Sequence, residues 1–95
     1  MTAAELQTWL GTRESRSVGW KADGRHESVG HASGRRIVEI LRSPKRELTD
    51  NDYAHMRKVV GFVRRHRAQE PANKVTSRWR YSLMNWGHDP LKSET

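Results

Sequence analysis

The segment RKVVGFVRRHRAQ, from Arg57 to Gln69, holds Arg57, Lys58, Arg64, Arg65 and Arg67 and no acidic residue. Guanidinium groups offer paired N–H donors that match phosphate oxygens, so such a run can hold a polyanion. At about 100° per residue of helix, Tyr53, Met56, Val59, Val60 and Val63 form an apolar stripe. Arg57, Lys58, Arg64 and Arg65 share the far side with the small residues Ala54 and Gly61. Like charges at helical spacing repel, and a bound polyanion relieves the repulsion. The plain alternative is a solvated face that keeps a small protein soluble. A domain this basic favours nucleic acid.

Three other groupings could do chemistry. Gly30-His31-Ala32-Ser33-Gly34-Arg35-Arg36 sets a Gly/Ser-rich loop and two arginines, Arg35 and Arg36, at an expected helix start. Free N–H groups and the positive dipole end favour an anion there. Its plain reading is an ordinary Ser33 cap with arginines in water. The pattern is not a Walker loop, so nucleotide hydrolysis has no support. In Arg16-Ser17-Val18-Gly19-Trp20-Lys21, followed by Arg25, Trp20 and Lys21 could stack on a base and meet a phosphate. The preferred alternative makes Trp20 an anchor that ties its own loop to the core. The five histidines supply no set of three or four ligands at metal-binding spacing, although Asp52 and His55 are one turn apart. No nucleophile–base pair has a spacing that catalysis demands, so neither an enzyme nor a cofactor is expected.

These side chains need helices to position them. Thr2 and Glu5 have capping-box spacing for a helix from about Ala3 to Leu10, with Leu6, Trp9 and Leu10 on its apolar edge and Gly11 as a left-handed end. From Thr12 to Ser33 apolar periodicity disappears, and an imperfect repeat links Ser17-Val18-Gly19…Gly24-Arg25 to Ser28-Val29-Gly30…Gly34-Arg35. A loop of this length is either functional or disordered. A second helix spans about Gly34 to Arg42, with Ile37, Val38, Ile40 and Leu41 inward. Pro44–Leu48 connects it to a third helix, capped by Thr49 and continuing to about Ala68. A fourth runs from about Ser77 to Trp86, closed by Gly87 and Pro90. Trp79, Leu83 and Trp86 form its inner face, while Arg80, Tyr81 and Met84 offer a second flank for the first helix or another chain.

The second and third helices do not read as a helix-turn-helix. Their connector exceeds the usual tight turn, and Asp50 and Asp52 at the head of the third helix would repel phosphates in a groove. Its cations suit the backbone better than the bases, which predicts weak sequence specificity.

With 95 residues and a net charge of +7, the chain allows one small domain with a modest core, helped by its four tryptophans. The absence of cysteine excludes disulfides and thiolate metal sites. No signal-peptide pattern or membrane-length apolar run occurs, which fits a cytoplasmic protein with no membrane partner.

ELQTWL, ESRSVG, ESVGHASGRRIVEIL, LTDNDYAHMRKVVGFVRRH and RWRYSLMNWGHDPLK together cover nearly the whole chain. They resemble a small, mainly bacterial domain family of unknown function, some of whose members carry a DNA-binding label. The resemblance implies DNA as a partner and brings no catalytic residues.

The expectation is an all-α domain over residues 1–90, a bundle of about four helices with a long Gly/Ser/charged loop at 12–33 and a tail at 91–95. Duplex DNA, ahead of single strands or RNA, is the expected partner, with a nucleoid, regulatory or stress-related role. A homodimer would pair two basic faces. The alternative is an interaction module for an acidic partner protein, using the second flank of the fourth helix and the long loop.

Overall fold

The computed structural model describes residues 1–21 and 26–92. All regular structure among them is helical: α1 (Ala3–Leu10), α2 (Arg13–Ser17), α3 (Val29–Arg42), a 3-10 turn (Lys45–Glu47), α4 (Asp50–Arg67) and α5 (Arg78–Asn85). The predicted all-α class holds. None of these helices is long and apolar enough to cross a membrane.

Side-chain caps set most helix starts. Thr2 and Glu5 form the predicted capping box, with Glu5 N–H donating to the Thr2 hydroxyl and Thr2 N–H to the Glu5 carboxylate. Thr49 and Asp52 form a second box at the head of α4, and Ser77 caps α5. α5 ends where expected, with Gly87 in the left-handed region at φ +82°. Gly11 differs from expectation: its φ of −81° is right-handed, and the chain passes at once to Thr12, whose hydroxyl caps α2.

The expected loop over 12–33 needs correction, because α2 and the first turn of α3 lie inside it. Ser28, not Ser33, caps α3 by accepting the His31 N–H at 3.0 Å. The glycines here serve close packing. A Cβ on Gly30 would sit 2.8 Å from Trp86 Nε1, and one on Gly34 would sit 2.5 Å from the Asn85 carbonyl oxygen. Glycine weakens a helix locally, but at these positions it lets α1 and the end of α5 approach α3. The Gly24-Arg25 half of the repeat and residues 93–95 of the expected tail lie outside the described residues.

Leu6, Leu10, Ile37, Val38, Val59 and Trp86 form the core, with Trp9, Phe62 and Val63 packed against it. Leu41, expected to face inward, is half exposed in the last turn of α3. Buried Asn85 ties three helices together. Its Oδ1 accepts from Trp9 Nε1 and the Ser15 hydroxyl, while its Nδ2 donates to the Ser15 carbonyl. On the other side of Trp86, Phe62 brings in α4, with stacked rings 4.3 Å apart.

Candidate nucleic-acid interface

The roll of α4 about its axis decides which side chains face out. Phe62 stacks on Trp86 and His66 on Phe62, so the inward line runs through His55, Val59, Phe62 and His66. Met56 and Val63 are half-buried beside it. Tyr53 and Val60, expected on the apolar stripe, instead remain 42% and 48% exposed. The unused signal was Phe62, the largest apolar residue of the helix, whose burial rotates the stripe toward itself.

The outer side therefore has two files. Tyr53, Arg57, Val60, Arg64 and Arg67 form one; Ala54, Lys58, Gly61 and Arg65 form the other. All five predicted cations, Arg57, Lys58, Arg64, Arg65 and Arg67, are exposed. Among the described residues, none of the five has a carboxylate within ion-pair distance. Arg65 folds back over Gly61, where an added Cβ would be 3.1 Å from its guanidinium.

The expected anion site at the start of the second predicted helix is not built. Arg35 and Arg36 lie in the second turn of α3, beyond its free N–H groups. Arg35 grips Glu27 in a fork, with Nε and a terminal nitrogen 2.7 and 2.6 Å from the two carboxylate oxygens. Those bonds, helped by His31, hold the Glu27 carboxyl at about 2. Arg36 reaches Asp52 of α4 through a longer contact of 3.5 Å.

Trp20 is 71% exposed, so it does not anchor its loop; Val18, 1% exposed, does. The Trp20 carbonyl accepts the Val29 N–H at 2.8 Å, which fixes its backbone beside α3. Lys21 is also exposed, and Arg25 lies outside the described residues. The second flank of α5 is taken up within the chain. Tyr81 packs 5.4 Å from Trp9, and Arg80 forks onto Asp89 at 3.2 and 3.1 Å.

Among the described residues, no three or more His, Asp or Glu side chains are grouped to hold a metal ion. His66 is half-buried against Phe62, and burial lowers its pKa. His55 Nε2 lies 2.9 Å from the Ser33 hydroxyl, a contact between α3 and α4 that the sequence did not announce. Burial lowers its pKa as well, and the charges of Arg36 and Lys58 push it further down. These residues line a cleft of about 720 Å³ between the two helices.

A small all-α domain with a helix of exposed cations, unpaired among the described residues, is the class these features define. The chain belongs to the family described as Protein of unknown function (DUF3140), whose model matches residues 1–84. That bears out the resemblance to a domain family of unknown function, and it assigns no activity. No curated protein and no solved structure matches the chain.

Proposed function

We propose that this protein binds duplex DNA along α4, chiefly through the phosphate backbone and with weak sequence specificity. The carrying observation is the set of five exposed cations without carboxylate partners among the described residues. At 1.5 Å rise per residue, the stretch of α4 from Arg57 to Arg67 presents them along roughly 15 Å. Asp50 and Asp52 at the head of the helix disfavour insertion into a groove, so the helix lies along the backbone. Exposed Trp20 and Lys21 add a secondary contact, whereas Arg35 is committed to Glu27. Such binding would place the protein with the nucleoid.

If about five phosphates are neutralised, the log–log dependence of affinity on salt has a slope of about −4 to −5. Titration of duplex DNA at several salt concentrations measures it. A flat dependence, or unchanged binding by the double variant Arg64→Glu/Arg65→Glu, would overturn the reading. Tyr53 and Val60 among the arginines also suit an acidic protein surface. Stoichiometric co-purification with such a protein, and no shift of DNA in gels, would favour that second reading.

A further inference from the structure

The cleft between α3 and α4 has a chemistry of its own. Val29, Ala32, Ser33 and Arg36, at i, i+3, i+4 and i+7 on α3, form one wall. His55 and Lys58, one turn apart on α4, form the other. Short side chains at Ala32 and Ser33 help leave about 720 Å³ open, within the range of small-ligand sites. Arg36 spends only one long contact on Asp52, and Lys58 has no carboxylate partner among the described residues. Glu27 at the edge is already neutralised by the Arg35 fork, so the cleft keeps a positive balance. Ser33 and His55 add a hydroxyl and an imidazole, while Val29 and Ala32 supply apolar surface.

We propose that this cleft binds a phosphomonoester, with its oxygens on Arg36 and Lys58, the Ser33 hydroxyl donating to it, and a sugar or base against Val29 and Ala32. Guanidinium and ammonium groups provide charge-assisted donors for a phosphoryl group, and the apolar wall favours a nucleotide over inorganic phosphate. The same two cations act on His55, which makes its ring a reporter of an anion in the cleft.

The test is an NMR titration of the histidine ring signals in the full chain. The probes are inorganic phosphate, a deoxynucleoside 5′-monophosphate and the same nucleoside without phosphate. Both phosphate probes should move His55 saturably, with the mononucleotide tighter; the nucleoside should move it little. Arg36→Gln or Lys58→Gln should each weaken mononucleotide binding about tenfold. Ala32→Leu, which fills the cleft without changing charge, should block binding while the circular dichroism spectrum stays native. No saturation in the millimolar range would overturn the proposal. So would full binding by a folded Ala32→Leu variant, because the anion would then sit outside the cleft. Competition by a 5′-phosphorylated oligonucleotide, but not its unphosphorylated form, would identify a strand end as the source. A lack of such competition would identify a free nucleotide. The titration with the three small probes contains no oligonucleotide, so its failure is separate from failure of duplex binding by α4.

Discussion

α3 and α4 both carry adjacent arginines, yet the two helices use them differently. On α3, Glu27 captures Arg35 and Asp52 draws on Arg36, while Gly30 and Gly34 admit Trp86, Asn85 and Leu10. On α4, Arg64 and Arg65 meet no carboxylate among the described residues, and Gly61 lies under the Arg65 side chain. The availability of a cation for an outside partner therefore depends on which carboxylates the fold brings to it. The role of a glycine likewise depends on what faces its missing side chain.

The sharpest test of this contrast is charge reversal against neutralisation. Arg64→Glu/Arg65→Glu should weaken duplex DNA binding by about a hundredfold or more, because each lost phosphate contact also restores counterions. Arg35→Gln should change it less than about threefold, since that side chain is already paired. Equal losses in a fluorescence titration would erase the distinction between the helices.

The glycines give the next largest contrast. Gly34→Ala places a Cβ against backbone and a packed leucine, and should cost about 2–3 kcal/mol in urea unfolding. Gly61→Ala meets only the movable end of Arg65 and should stabilise by up to about 1 kcal/mol through helix propensity. Matching signs for the two would contradict the packing described. Asn85→Ala should cost about 2 kcal/mol, because the buried donors of Trp9 and Ser15 lose their acceptor. An unchanged unfolding midpoint would show that the polar junction of α1, α2 and α5 adds little.

Acid should separate the helices more gently. His55 and His66 of α4 have folded pKa values below the ordinary 6.5, so the unfolded chain takes up protons first. Their contribution is complete above that value and fades as pH falls below it. Glu27, which pairs with α3, is held at about 2 by Arg35 and His31, so its contribution persists until pH falls below the ordinary 4.5 and is lost toward 2. The melting temperature should therefore fall modestly from about pH 7.5 to 5.5, with a further loss below pH 4. A higher melting temperature at pH 5.5 would show the wrong sign for the histidines.

Local interactions made much of this legible. Thr2 with Glu5 and Thr49 each lie within one turn of the helix they cap, and the positions of Ile37, Trp79 and Leu83 follow helical spacing. The cationic run of α4 was equally plain. The beginning of α3 was hidden, because Gly30 and Gly34 read as loop residues until Trp86 and Asn85 lie against them. Tyr53 and Val60 were misplaced for a related reason: Trp86 pulls Phe62 inward and turns them toward solvent.

The sequence by itself determined the all-α class, the Thr2 and Thr49 caps, the stop at Gly87 and the five cations that share α4, because each depends on neighbours within a few residues. Only the tertiary structure decided that Arg35 is occupied, that Trp20 is exposed, and that Ser33, Arg36, His55 and Lys58 border one cleft. These outcomes depend on partners distant in the chain, such as Ser33 and His55 at a separation of 22 or Ser15 and Asn85 at 70. Helical periodicity carries no information about which distant residue will arrive, since close packing and satisfaction of buried polar groups select it.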